Sequence, residues 1–201
     1  KIAFIFSGQG PQWWAMGREL YRRERVVRDM WERCDGVCRA LGGLDLLDAL
    51  LADESASRLD RTEVAQPALF TLQASLVELW RSWGIAPDAV LGHSIGEAAA
   101  AWTAGIFDLE EIFRIVLARS RWQATTHGRG RMLAAAISVD DARAWERRLH
   151  GRASLAAINA PRQVTLAGDA AALQTIADAL RESHVFSRFL TSSYPFHSAQ
   201  M

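Results

Sequence analysis

The segment Gly92-His93-Ser94-Ile95-Gly96 constrains the fold of this chain more than any other stretch. It lies between an apolar run at 88–92, which predicts a strand, and an alanine-rich segment that predicts a helix ending near Gly105. Glycines two residues before and after a serine are typical of a sharp strand-to-helix turn, where other side chains would collide with neighbouring backbone. Such a turn exposes the Ser94 hydroxyl beside a helix N-terminus, which stabilises negative charge. Ser94 is therefore a candidate nucleophile with the Ile95 backbone N–H as oxyanion donor; a purely structural turn is the alternative.

The first 125 residues alternate strand-like and helical segments, as in an α/β sheet. The apolar run 2–6 predicts a buried parallel strand, which leads into the turn Ser7-Gly8-Gln9-Gly10. Helices are predicted from Pro11 through Met16, over 18–41 and 44–51, from Pro67 to Gly84, and over 109–124, the last with a capping box at Asp108 and Glu111.

From Gly128 onward the pattern changes to strand, helix, two strands, helix and strand. The strands are predicted at 131–138, 153–159, 163–168 and 185–191, and the helices at 140–149 and 170–182. This β-α-β-β-α-β order predicts a ferredoxin-like unit inserted into the larger domain.

A serine nucleophile needs a general base within hydrogen-bond reach, and five histidines compete for that role. His93 is adjacent to Ser94, but neighbouring side chains on a tight turn point apart. His197 follows the last predicted strand, in a loop where the chain returns to the larger domain, and such loops often carry catalytic groups. The residues alone leave the choice open among His93, His127, His150, His184 and His197.

Arg119 falls on the apolar stripe of the helix predicted over 109–124, because it follows Ile112, Ile115 and Val116 at helical spacing. A guanidinium stays charged, so on a buried face it needs an anionic partner. That partner is either an internal carboxylate, in a purely structural role, or the carboxylate of a ligand held bidentately. A side chain that extends to water is the third possibility.

Composition excludes several classes of function. The 23 basic and 23 acidic residues balance, so no net field attracts nucleic acid or an anionic membrane. No apolar run reaches the roughly 18 residues of a membrane span, and the N-terminus lacks a signal-peptide core. Cys34 and Cys38 lie one helical turn apart without a nearby histidine, so neither a disulfide framework nor a metal site is expected. We expect a reduced, cytoplasmic chain.

Several motifs in a fixed order resemble the malonyl-CoA:acyl carrier protein transacylases, and in particular the acyltransferase domains of modular type I polyketide synthases. These motifs are Ser7-Gly8-Gln9-Gly10, Gly92-His93-Ser94-Ile95-Gly96-Glu97, Arg119, Asn159-Ala160-Pro161 and Phe196-His197-Ser198. The resemblance covers essentially the whole chain. It implies an α/β-hydrolase-like large subdomain with a parallel sheet at 1–127 and 192–201, and an inserted ferredoxin-like small subdomain at 128–191. Members of this family continue beyond the late histidine, so the C-terminal part of the domain is expected to be missing here.

The resemblance also implies a role for each matching residue. Ser94 would attack the thioester of an acyl-CoA, and His197 would accept its proton and later activate the thiol of the carrier protein. Gln9 and the N–H of Ile95 would form the oxyanion hole, and Arg119 would hold the free carboxylate of a dicarboxylic acyl group.

The remaining implications concern the substrate and its partners. The acyl group would pass from CoA to serine and then to the phosphopantetheine thiol of an acyl carrier protein, beside other synthase domains such as a ketosynthase. No metal and no bound cofactor are implied. His93 would line the acyl pocket. Phe196 and Ile95 resemble malonyl-specific domains, whereas Tyr194 is typical of methylmalonyl domains, so malonyl is expected in preference to methylmalonyl.

Two alternative functions remain at this stage. A serine hydrolase or thioesterase of the α/β-hydrolase type would share the serine turn but would need neither Arg119 nor Gln9. A non-catalytic docking domain of a synthase would need neither Ser94 nor His197. Asp169 lies between that serine and histidine in the sequence, but within the inserted unit, where we expect a turn residue and not a triad member.

Overall fold

Two separate β-sheets organise the chain, one parallel and one antiparallel. The computed structural model describes residues 1–201. The chain falls into two units, Lys1–Arg121 and Trp122–Met201, and the division lies in the last turn of the helix Leu109–Ala124. An α/β chain with a parallel sheet and a second, antiparallel sheet confirms the predicted fold class.

The first unit is mostly helical. Its elements in chain order are β1 (Ala3–Phe6), α1 (Arg18–Arg23), α2 (Arg25–Ala40), α3 (Leu46–Leu51), a 3₁₀ turn (Glu54–Ala56), α4 (Thr62–Ser82), β2 (Ala89–Gly92), α5 (Gly96–Thr103) and α6 (Leu109–Ala124). The predicted capping box of α6 is present, because the Asp108 carboxylate accepts from the Glu111 N–H and the Glu111 carboxylate accepts from the Asp108 N–H.

Strands β1 and β2 pair in parallel, with Ile5 opposite Leu91 and Phe6 opposite Gly92. The parallel pairing confirms the prediction, but the expectation that 2–6 is fully buried is wrong. Ile5 is 75% exposed and Leu91 is 62% exposed, so this pair on the two-stranded sheet faces solvent. The carboxyl ends of both strands lead directly into the turns that carry Gln9 and Ser94.

The core of the first unit lies between its long helices. Trp31 of α2, Phe70 of α4 and Phe113 of α6 are all fully buried, and the Phe70 and Phe113 rings meet edge to face with centroids 5.1 Å apart. The Trp31 indole N–H donates to the Ser75 hydroxyl at 3.1 Å, so this buried polar atom has its partner. Truncating an aromatic residue in such a core costs about 3–5 kcal/mol. This packing fixes α4 and α6, which carry the polar residues of the site.

Three helix predictions are wrong in this unit. Residues 11–17 form turns and not a helix, and Gly17 ends them in a left-handed conformation (φ 75°) in tight contact with the Trp31 ring. The predicted helix 18–41 is two helices, because Glu24 is extended. Helix α4 begins at Thr62 and not at Pro67, since the buried stretch before the proline packs as helix and outweighs the preference of proline for a first turn.

The second unit has the strand and helix order predicted for a ferredoxin-like fold. It contains β3 (Arg131–Ala135), α7 (Val139–Arg148), β4 (Ala153–Ala160), β5 (Gln163–Gly168), α8 (Ala170–Glu182) and β6 (Ser187–Phe189). All pairings are antiparallel, in the order β4-β5-β3-β6. Leu133, Leu166 and Ile176 are fully buried between the sheet and its helices. Asp169, which was predicted to be a turn residue, is the N-cap of α8, and its carboxylate accepts from the Ala172 N–H.

None of the helices combines the length and the apolar character that a bilayer-spanning segment requires. The structure also holds no cluster of three or more metal-ligating side chains.

Candidate active site

The turn that carries Ser94 has the strained geometry predicted from its glycines. Ser94 adopts φ 54°, a conformation that side-chain-bearing residues rarely adopt and that persists only when the surroundings enforce it. A Cβ on Gly92 would lie 2.4 Å from the backbone of Gly96 and Glu97, and one on Gly96 would lie 2.3 Å from the Phe6 carbonyl oxygen. Both glycines are therefore required by close backbone approach, and the turn holds Ser94 between β2 and α5.

Backbone groups beside Ser94 suit an oxyanion. Ile95 is the N-cap residue of α5, where the helix dipole favours negative charge. The N–H groups of Gly96 and Glu97 donate to the carbonyls of His93 and Ser94, which leaves the Ile95 N–H as the candidate donor to an oxyanion. The Ile95 side chain is buried, which anchors this turn in the core of the first unit. The His93 N–H donates to the Phe6 carbonyl at 2.9 Å and ties the turn to β1, while the His93 residue itself is exposed.

The turn after β1 packs directly against the turn that carries Ser94. A Cβ on Gly8 would lie 2.8 Å from Nδ1 of His93 and 3.3 Å from Cβ of Ser94, so a larger residue would displace one of them. Gln73 of α4 donates to the Ser7 carbonyl at 2.8 Å and holds the other side of this turn. The structure thus brings the turn that carries Gln9 next to Ser94.

Arg119 contacts Ser94, the candidate nucleophile, directly. Its Nη2 donates to Oγ of Ser94 at 3.0 Å, and its Nη1 donates to Oε1 of Gln66. Burial lowers the pKa of the guanidinium, and the charge of nearby Glu97 partly opposes that shift. The two groups that accept these hydrogen bonds, the Ser94 hydroxyl and the Gln66 amide, are both uncharged. Neither neutralises the partly buried positive charge that lies beside the candidate nucleophile.

Gln9 joins the same group of side chains through α4. Oε1 of Gln9 accepts from the Thr62 hydroxyl at 2.9 Å and from Nε2 of Gln66 at 3.4 Å. Thr62 and Gln66 are fully buried, and sequence reasoning missed both because it placed them before the start of α4. Their four-residue spacing on an otherwise apolar helix face was the available signal.

His197, Phe196 and Tyr194 belong to the second unit. His197 is exposed and adopts φ 60°, while Phe196 and Tyr194 are buried. The two aromatic rings stack with centroids 5.0 Å apart, and the His127 ring contacts Tyr194 edge to face at 5.1 Å. The structure therefore brings Ser94, Ile95, Arg119, Gln9 and His93 together within the first unit, and holds His197, Phe196 and Tyr194 on one segment of the second.

The two cysteines take no part in this site. Both are free thiols buried in the core, and burial raises the pKa of Cys34 to about 12 and that of Cys38 to about 11. Thiols with such pKa values are almost entirely protonated near neutrality and are poor nucleophiles.

Residues 3–201 match the family described as the acyl transferase domain. The chain belongs to this family. The acyl transferase domain is 42% identical over 202 residues to the spectinabilin polyketide synthase system protein NorC of Streptomyces orinoci, covering the whole of this chain and 9% of that protein. It is also 38% identical over 201 residues to the erythronolide synthase EryA2 of Saccharopolyspora erythraea, covering 6% of that protein.

Solved structures give the same family. The acyltransferase domain from the second module of the salinomycin polyketide synthase matches with a TM-score of 0.91 and 41% identity, over all of this chain and 46% of that one. These comparisons confirm the resemblance drawn from the motifs. The acyl transferase domain described here spans less than half of that solved chain and a small part of the synthases.

Proposed function

We propose that this acyl transferase domain takes a malonyl-type extender group from CoA as an ester on Ser94 and passes it to the phosphopantetheine thiol of an acyl carrier protein. The observation that carries the proposal is the 3.0 Å hydrogen bond from Arg119 to the Ser94 hydroxyl. A partly buried cation at that position suits a carboxylate bound close to the acylated oxygen.

The short distance also limits the substrate class. In a malonyl ester only one carbon separates the ester carbonyl from the free carboxylate, so the carboxylate stays near Ser94. In a longer diacid the free carboxylate would lie farther from Ser94 than the Arg119 guanidinium does, because the guanidinium already contacts the serine oxygen. A simple acetyl group would leave the cation without an anionic partner, which disfavours its binding.

In the first half-reaction the oxygen of Ser94 adds to the thioester carbonyl while His197 accepts the hydroxyl proton. The amide of Gln9 and the N–H of Ile95 stabilise the resulting oxyanion. The carbon–sulfur bond then breaks, the CoA sulfur takes the proton from His197, and the acyl group remains on serine.

In the second half-reaction His197 accepts a proton from the carrier thiol, whose sulfur attacks the ester carbonyl. The carbon–oxygen bond breaks, and the Ser94 oxygen recovers its proton from His197. CoA and the carrier protein are the partners of this reaction, and it requires no metal or bound cofactor. Neighbouring synthase domains such as a ketosynthase would receive the product, and residues 1–127 with 192–201 would form the catalytic subdomain around 128–191.

Malonyl is the proposed extender in preference to methylmalonyl. Phe196, stacked on Tyr194, and the buried Ile95 are the residues that resemble malonyl-specific domains, and His93 is proposed to line the pocket. One methyl group changes binding in an apolar pocket by about 1–3 kcal/mol, so methylmalonyl would load more slowly and not be fully excluded.

Intact-mass measurement on the full-length protein tests this proposal. Offered equal amounts of malonyl-, methylmalonyl- and acetyl-CoA, the protein should gain chiefly one malonyl group, and a Ser94→Ala variant should gain none. Added carrier protein should then remove the group faster than water does. Loss to water at the same rate with and without carrier protein would instead identify a hydrolase, and absence of any adduct would refute acylation at Ser94.

A further inference from the structure

A chain of buried hydrogen bonds joins the cation of the site to the proposed oxyanion donor. Arg119 donates to Oε1 of Gln66, and Nε2 of Gln66 donates to the Thr62 hydroxyl at 2.7 Å and to Oε1 of Gln9 at 3.4 Å. The Thr62 hydroxyl donates in turn to the same Gln9 oxygen at 2.9 Å. Gln66 is 1% exposed and Thr62 is 0% exposed, so water does not compete for these positions.

The donor and acceptor inventory fixes the direction of every bond in this chain. A guanidinium has donors and no acceptor, so Gln66 must turn its carbonyl oxygen towards Arg119. The Gln66 amide nitrogen, which can only donate, is then left facing Thr62 and Gln9. The Thr62 hydroxyl accepts one of these bonds and has one proton to donate, which it gives to Gln9.

The consequence falls on Gln9. Its carbonyl oxygen is held by two donors inside the network, so its amide N–H groups are directed away from that network. An amide in the opposite orientation would present an acceptor to an oxyanion and would repel it. Arg119 thus determines, through the hydrogen bonds of Gln66, that Gln9 acts as a donor.

We infer that Gln66 is a positioning residue that couples carboxylate recognition by Arg119 to oxyanion stabilisation by Gln9. The inference rests on the proposed acyl transfer at Ser94. Gln66 acts through its two partners and contacts no reacting atom. The coupling would give extender selectivity and catalytic rate a common structural origin, because one buried amide orients both groups.

The principal test is Gln66→Glu in the full-length protein. Glutamate has nearly the same shape and can still accept from Arg119, but it neutralises that cation internally and cannot donate to Gln9. We expect two separable effects on Ser94 acylation. The malonyl-CoA concentration at half-maximal rate should rise, and the maximal rate should fall by about 100-fold, the effect of losing one oxyanion donor. The ratio of malonyl to acetyl loading should fall at least about tenfold.

Thr62→Val provides a second test, and Thr71→Val is its matched control. Both threonines are fully buried on α4, and the Thr71 hydroxyl donates to the Pro67 carbonyl at 2.8 Å and also bonds the buried Cys34 thiol, which takes no part in the site. Thr62→Val removes a donor to Gln9 but leaves the bond between Gln66 and Arg119. It should therefore lower the maximal rate about tenfold without changing the malonyl-to-acetyl ratio, and Thr71→Val should change neither.

The outcomes are decisive in each case. A folded Gln66→Glu protein with the wild-type rate and ratio would overturn the inference. If that variant does not fold, equal acylation rates for Thr62→Val and Thr71→Val would overturn it. A purely structural role predicts lower melting temperatures with unchanged kinetics of the folded protein. Failure of the wild-type protein to acquire malonyl on Ser94 would instead refute the proposed function.

Discussion

Replacing Arg119 with alanine tests the charge recognition on which the proposed function depends. The guanidinium donates to Ser94 and to Gln66, and it is partly buried on α6. Alanine removes both donors and the positive charge while keeping a good helix former at that position. We expect the malonyl reaction to be impaired more than the acetyl reaction, so that the preference shifts towards acetyl.

The magnitude follows from what the substrate carboxylate loses. Removing one partner of a hydrogen-bonded charge pair at a desolvated site costs about 2–5 kcal/mol. Arg119 is not fully buried, so solvent screening places the loss at the lower end, about 2–3 kcal/mol. At 1.4 kcal/mol for each factor of ten, the acylation efficiency with malonyl-CoA should fall by roughly 30- to 150-fold. Acetyl-CoA carries no carboxylate and loses none of this recognition. Any loss of Gln9 orientation through Gln66 would slow both thioesters alike, so the ratio of malonyl to acetyl loading should fall by about the same factor.

The assay is a competition between equal concentrations of the two thioesters, read by intact mass on the full-length protein. Arg114→Ala is the matched control, because Arg114 lies on the same helix, is mostly exposed and pairs with Glu110 one turn away. Such surface pairs contribute little, so the control should keep the wild-type ratio. A folded Arg119→Ala protein that also keeps the wild-type ratio would refute recognition of the carboxylate by this cation.

Three further predictions concern the scaffold. Gly96→Ala should lower the melting temperature and abolish acylation, because its Cβ would lie 2.3 Å from the Phe6 carbonyl; normal acylation would show that the turn can relax. Cys34 and Cys38 should resist iodoacetamide at pH 8 in the folded protein and react only in denaturant, since burial raises both pKa values; rapid labelling of the folded protein would contradict this. Asp169→Ala should destabilise the protein by about 1 kcal/mol through loss of the α8 cap.

The Asp169 prediction has a defined pH dependence. The hydrogen bond from Ala172 lowers the pKa of this carboxyl in the folded state, so the carboxylate stabilises the fold above the unfolded pKa near 4. That contribution is lost as the pH falls through the lower, folded pKa. The difference between wild type and Asp169→Ala in chemical denaturation should therefore be constant at neutral pH and shrink in acid, and a difference that grows in acid would contradict the sign.

Local signals determined what the sequence could predict. The Ser94 turn was predictable because its glycine spacing reflects a steric requirement within five residues. The ferredoxin-like order of the second unit was equally accessible from alternating strand and helix patterns. Residues 11–17 were not, because no local pattern reveals that Gly17 lies close to Leu72 and Trp31 on two other helices.

The polar network of the site was beyond sequence reasoning for the same reason. Gln66 joins residues from three segments that meet only in the folded chain, and Pro67 directly after it suggested a helix boundary that tertiary packing overrides. Arg119 was recognised because its position on an apolar stripe demands an explanation. Its contact with Ser94 required coordinates.

The uncovered pair Ile5 and Leu91 has a practical consequence for anyone who expresses residues 1–201 in isolation. Two large aliphatic side chains stand side by side on adjacent strands, facing water, and contiguous apolar surface of this kind promotes self-association. Precipitation or inactivity of residues 1–201 expressed alone could then result from self-association through Ile5 and Leu91, and would not by itself show that Ser94 is unreactive. Substituting threonine at both positions, which places a more polar, β-branched residue that strands favour at each, is the direct way to separate the two.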